Sequence, residues 1–143
     1  MNLLEYEAKR IIGEAGVSIP LGRIISREEP SDELDTPVVL KSQVPTGGRG
    51  KLGGVKIVKT VNELERVSDS LLAHEIKGFV PKTLLAEEVL DIDKEFYLAL
   101  LINRTKHCIE LSAHADGGVD IESHAASDFL HFAMTDKNAN AAG

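Results

Sequence analysis

Apolar positions along this chain change their period several times, and each change predicts an element. Leu4, Ala8, Ile11 and Ile12 recur at helical spacing, with Ala15 one turn on, so residues 3–15 read as a helix. Gly16 is a natural stop. Val17 to Gly22 then leads into a short strand at 23–25, and the polar stretch 26–37, with Pro30 and Pro37, reads as a connector with room for one helical turn. Val38 to Val44 is β-branched and bounded by prolines, which predicts a strand. Val38, Leu40 and Val44 would face the core, and Lys41 and Gln43 the other side. Pro45 to Gly54 is a loop by composition, and Val55 to Lys59 resumes an extended run, so the two strands would form a hairpin.

A second helix is expected after Thr60, which has capping-box spacing to Glu63. Val61, Leu64, Val67, Leu71 and Leu72 form its stripe, and Gly78 and Pro81 close the segment. Strands follow at 83–89, 95–103 and 107–113. In the middle one Phe96, Leu98, Leu100 and Ile102 alternate with Glu95, Tyr97, Ala99 and Leu101, and Asn103 to Lys106 make a turn. Beyond Gly118 the pattern decays: residues 120–134 read as a short helix or a poorly packed tail, and 135–143 as a frayed end. Strands in series point to an α+β fold, a mostly antiparallel sheet with helices packed on one side of it.

The length of 143 residues suits one domain with a real core. A formal charge of −7 argues against non-specific binding to nucleic acid or anionic lipid, but a local basic loop can still hold a nucleotide. No stretch is apolar for long enough to span a bilayer, and the first residues lack the pattern of a secretory signal. Cys108 is the only cysteine and sits in an apolar run, so it reads as a buried strand thiol in a reducing, cytoplasmic setting. The histidines at 74, 107, 114, 124 and 131 have no compact metal-ligand spacing and read as structural or solvated. Lys9, on the first helix and away from the glycines, reads as a surface lysine.

Lys41 through Lys59 carries the chemistry. Five glycines fall within the eight residues 47–54, interleaved with Arg49 and Lys51, and Lys56 follows. Glycines let backbone amides approach an anion, and Arg and Lys supply charge and donors for phosphate oxygens. Such a loop between strands can close over a polyphosphate, with Lys41 reaching in from the strand floor. It can equally be a flexible surface hairpin with solvating charges. It is neither a Walker loop nor a dinucleotide fingerprint, since no helix follows the glycines.

Four blocks carry a family resemblance: Met1 to Lys9, Lys41 to Lys56, Glu87 to Leu98, and Gly117 to Glu122. In this order they resemble the beta subunits of ADP-forming succinyl-CoA synthetase, with Lys41-Ser42-Gln43-Val44-Pro45-Thr46-Gly47-Gly48-Arg49-Gly50-Lys51 the most specific of them. The resemblance implies the N-terminal lobe of an ATP-grasp domain over residues 1–134. It also implies an enzyme that makes succinyl-CoA from succinate, CoA and ATP with Mg²⁺, releasing ADP and phosphate. The phosphohistidine of that reaction belongs to a partner alpha subunit, so no catalytic residue is expected here.

Carried over position by position, Lys41 is a phosphate contact and Gly48, Arg49 and Gly50 are the nucleotide loop. Glu87 lies at the adenine edge, where the backbone makes much of the contact, and Leu90 is a backbone contact near the base. Glu95 is a carboxylate that touches ribose or orients Lys41. Pro20 lies where nucleotide preference is influenced and leans toward adenine. Asp116 departs from the glutamate usual before the Gly117-Gly118 pair, and Pro45 is a variable position beside the loop. The Mg²⁺-binding Asn and Asp of the family are expected beyond residue 143, so the chain is expected to be one jaw that does not complete phosphoryl transfer alone. An apolar face left uncovered would favour self-association. The corresponding portion of a related ligase, such as one for malate, and a non-catalytic ATP-grasp module are the alternatives.

Overall fold

The computed structural model describes residues 2–28, 34–118 and 121–134. The chain divides into two compact units, Met1–Asp91 and Ile92–Gly143. The connector around Pro30 and the expected frayed end at 135–143 lie, wholly or in part, outside the described residues.

The first unit runs α1 (Glu5–Glu14), β1 (Gly22–Ser26), β2 (Val38–Ser42), β3 (Val55–Val58), α2 (Val61–Leu72) and β4 (Thr83–Glu88). The four strands form one antiparallel sheet in the order β1-β4-β2-β3. Alternation along β2 buries Val38, Leu40 and Ser42 and leaves Lys41 half-buried on the opposite face. Ile25, Val38, Leu40, Val58, Leu84 and Ala86 of the sheet pack with Leu64, Leu71 and Leu72 of α2, and Val67 and Leu34 border them. Val61, expected in that stripe, is largely exposed in the first turn of α2. The Thr60 hydroxyl donates to the Glu63 carboxylate at 3.0 Å and makes no side-chain cap onto the helix backbone, so the capping-box spacing is present without the full box.

Helix α1 departs most from expectation. Its start is stabilised by the Leu4 N–H donating to Glu7 Oε2 at 2.7 Å, and it ends at Gly16, where φ is +89°. Yet no residue of α1 is buried, and Ile11 and Ile12 are about half exposed. The helix meets the sheet through polar groups instead: Glu5, Lys9 and the Tyr6 N–H reach Lys41, Glu87 and Gln43. These lie on the face opposite the α2 core, so the two helices occupy opposite sides of the sheet rather than one.

The second unit is a three-stranded antiparallel sheet of β5 (Tyr97–Asn103), β6 (Cys108–His114) and β7 (Leu130–Met134), in the order β5-β6-β7. Of the stretch expected as a short helix or a poorly packed tail, the described residues 121–134 include a strand. After single helical turns at Ile121–Ser123 and Ala126–Asp128, Leu130, Phe132 and Met134 alternate with period two and pair with β6. Register places Leu98, Leu100 and Ile102 beside Ala113, Leu111 and Ile109, and these beside Leu130, Phe132 and Met134, on one face. Much of that face is open: Leu98, Leu100, Ile102 and Leu130 are 62–79% exposed. On the other face Glu110 accepts from Lys106 Nζ at 2.9 Å and lies 3.1 Å from His131 Nδ1. Cys108 is half-buried in β6.

The contrast between the two units is measurable. Leu84→Ala removes a side chain with no exposed surface and is expected to cost about 2–5 kcal/mol, whereas Leu98→Ala, on the open face, costs far less. Urea denaturation followed by circular dichroism reads both, and equal losses would refute this assignment of the core.

Candidate functional site

Strand alternation puts Lys41 of β2 and Glu87 of β4 on the same face. Lys41 sits opposite Leu85 and Glu87 opposite Val39, so the two charges are diagonal neighbours. Lys41 Nζ donates to Glu87 Oε2 at 2.5 Å and to Glu5 Oε1 at 3.2 Å. Glu87 is almost fully buried, and its other oxygen accepts from Lys9 Nζ. Lys9 also bridges back to Glu5, one helical turn away on α1, at 3.0 Å.

The glycine loop joins this cluster through Arg49. Its Nη1 donates to the Ser42 carbonyl at 2.7 Å and its Nη2 to Glu5 Oε2 at 2.5 Å. Three cations thus face two carboxylates. Two glycines make the arrangement possible. A Cβ on Gly22 would lie 2.7 Å from both Glu87 Cγ and the Ala86 carbonyl oxygen, so only glycine leaves room for the buried carboxylate. A Cβ on Gly54 would lie 2.4 Å from Ile76 Cδ1, and the Gly54 N–H closes the loop onto the Arg49 carbonyl at 2.8 Å.

Burial by itself would raise the Glu5 pKa. The Arg49 and Lys9 hydrogen bonds and the charges of Lys41 and Lys9 outweigh that and lower it to about 2. For Lys41 burial acts downward, and the Glu87 hydrogen bond with the charges of Glu5 and Glu87 outweighs it, leaving the ammonium above the usual lysine value. Beside the cluster opens a cleft of about 250 Å³, lined by Tyr6, Lys9, Ile19, Pro20, Leu85 and Glu87.

Of the residues singled out from the sequence, the fold brings together Lys41, Arg49 and Glu87, with Gly48 and Gly50 exposed in the adjoining loop. Leu90 follows β4 and is half exposed. Glu95 belongs to the second unit, where its carbonyl accepts from the Gly117 N–H at 3.0 Å. The groups that orient Lys41 are Glu5 and Glu87. Glu5 was not among the expected site residues, and Lys9 is no surface lysine: only 23% of its side chain is exposed and it pairs with a buried carboxylate. The i, i+4 spacing of Glu5 and Lys9 was the available signal, but it is common on solvated helices.

Residues 2–134 match the family model described as an ATP-grasp domain. The chain belongs to the ATP-grasp domain family. This ATP-grasp chain is 46% identical over 129 residues to the succinate–CoA ligase [ADP-forming] subunit beta of Ignicoccus hospitalis, covering 87% of this chain and 34% of that one. It is 42% identical over 130 residues to the succinate–CoA ligase [GDP-forming] subunit beta of Thermus thermophilus, with 88% and 34% covered. The chain thus spans about a third of the length of these curated relatives. The solved structure of acetyl-coenzyme A synthetase 1 from Ca. Korarchaeum cryptofilum shares the fold, with a TM-score of 0.68 at 23% identity over 96% of this chain and 62% of that one.

The depressed Glu5 pKa has a definite pH signature. A carboxyl whose folded pKa is depressed stabilises the fold fully above its unfolded value, near 4.5, and loses that contribution as pH falls through about 2. Glu5→Gln is therefore expected to destabilise the chain most above pH 4.5, with the difference from the parent shrinking toward pH 2. Urea denaturation across that range measures it, and a pH-independent difference would contradict the ion-pair assignment.

Proposed function

We propose that this chain is the nucleotide-gripping portion of the beta subunit of an ATP-dependent succinate–CoA ligase. The observation that carries the reading is that Lys41, on an inner strand, and Arg49, in the glycine loop, converge on one carboxylate, Glu5. Two cations that close on a carboxylate oxygen pair have the spacing and charge to close on phosphate oxygens. With ATP bound, Lys41 and Arg49 take the phosphates, while Gly48 and Gly50 let the loop backbone approach. The cleft holding Pro20 takes the base, with adenine favoured, and the backbone near Glu87 and Leu90 borders it.

Bound ATP supplies the phosphoryl group that activates the acid. The residues of this chain grip and orient it. Among the described residues no three of His, Cys, Asp and Glu gather to hold a metal ion. Glu5 and Glu87, the carboxylates of the cluster, are both taken up by lysine and arginine and do not fit Mg²⁺, so no step is routed through the ion. Succinate, CoA and an alpha subunit carrying the phosphohistidine complete the proposed reaction, which belongs to cytoplasmic central metabolism.

Isothermal titration of the chain with ATP tests the grip. Lys41→Ala and Arg49→Ala are each expected to weaken binding tenfold or more, in line with the roughly 1.5–3 kcal/mol of a charge-assisted contact. Lys59→Ala, at an exposed position after β3, should leave it unchanged. Equal affinities for all variants would leave a non-catalytic scaffold as the better reading.

We further propose that the open apolar face of the β5-β6-β7 sheet pairs with a second copy of this chain. Leu100 and Phe132 both neighbour Leu111 at its centre. Sedimentation is expected to show a concentration-dependent dimer that Leu100→Glu with Phe132→Glu converts to monomer. A monomeric parent chain across the range rules this out.

A further inference from the structure

Glu5 occupies the space between the two cations of the proposed phosphate grip. Its two oxygens are divided between Lys41 and Arg49, at 3.2 and 2.5 Å. Glu87, the other carboxylate of the cluster, cannot be moved aside: it is almost fully buried on a strand with neighbours on both sides, and both its oxygens are held by lysines. Glu5, although both its oxygens are also held, differs in burial and in the element that carries it. It is partly exposed and lies in the first turn of a helix with no buried residue. Among the described residues that helix meets the sheet face through polar contacts: Glu5 on Lys41 and Arg49, Lys9 on Glu87, and the Tyr6 N–H on Gln43 Oε1 at 3.2 Å.

We infer that Glu5 is an internal anion that competes with nucleotide phosphate for Lys41 and Arg49, so that phosphate binding displaces Glu5 and loosens α1 from the sheet. The inference rests on the reading of Lys41 and Arg49 as the phosphate grip. A polyphosphate carries more negative charge than one carboxylate and offers more acceptor oxygens, so it can replace Glu5 on both cations at once. Lys9 stays on Glu87 throughout, and α1 therefore remains tethered near its middle while its first turn moves. Glu5 is a positioning residue: empty, it keeps the two cations apart from solvent and aligned; occupied, it gives way. The sign of its effect on affinity separates this role from simple preorganisation, in which Glu5 would help binding.

The test uses the whole 143-residue chain with inorganic tripolyphosphate and, separately, ATP as probes. Affinity is compared for the parent, Glu5→Gln, Lys41→Ala and Arg49→Ala, and hydrogen exchange is followed at the α1 amides. Glu5→Gln keeps the size of the side chain and removes its charge. It is expected to tighten tripolyphosphate binding by about fivefold to tenfold, the scale of one net hydrogen bond. Tripolyphosphate should also lower the exchange protection of α1 in the parent chain, a readout that holds even if the variant folds poorly. Weaker or unchanged binding by Glu5→Gln overturns the inference, as does unchanged or increased α1 protection at saturating tripolyphosphate. If Lys41→Ala and Arg49→Ala bind as the parent does, the phosphate-grip reading itself fails. If Lys41→Ala and Arg49→Ala weaken binding while Glu5→Gln does not strengthen it, the grip stands and only the competition is wrong. Absence of binding to any form overturns both.

Discussion

Glu87 is a carboxylate with almost no solvent contact on an inner strand of the first sheet, and an unpaired charge at such a position costs several kcal/mol. Lys9 and Lys41 remove that cost by occupying one oxygen each. The rest of the site follows. Lys41 is aimed by the pair, α1 is drawn onto the sheet face by Lys9, and Glu5, one turn earlier on the same helix, arrives opposite Lys41 and Arg49. Gly22 is required because any side chain there would meet Glu87. A buried carboxylate thus organises a surface that presents positive charge.

The two faces of this sheet are built by different physics. On the α2 side, aliphatic side chains interdigitate and exclude water, which gives stability without directionality. On the α1 side, contacts are few, directional and ionic, and each depends on a specific partner. A face of the second kind can be reset by a competing charge, whereas a face of the first kind can only be disrupted. Placing the glycine loop at the border between them joins a rigid floor to a replaceable cover.

The strands, the hairpin around the loop and the second helix were legible because each rests on a local period or a breaker, as at Val38 to Val44 between its prolines. The loop chemistry was legible from composition, and its family from motif. The role of α1 was not. Its helical spacing marks the element, but the face that docks carries Glu5 and Lys9, whose partners lie 36 to 78 residues away in sequence. No local pattern encodes such a pairing. The strand at Leu130–Met134 was obscured by the interrupted segment before it. The alternation in β5 was read correctly as a strand, yet alternation cannot say whether the apolar face has anything to cover it.

The two legs of the glycine loop are unequal. The leg that carries Lys41 is β2, which is bonded to β4 on one side and β3 on the other; the leg that leaves the loop is β3, bonded among the described residues to β2 alone. Load applied at the loop tip is therefore resisted on one side and absorbed on the other. The leg that carries Lys41 is the stiffer of the two, and the leg that leaves the loop the more compliant.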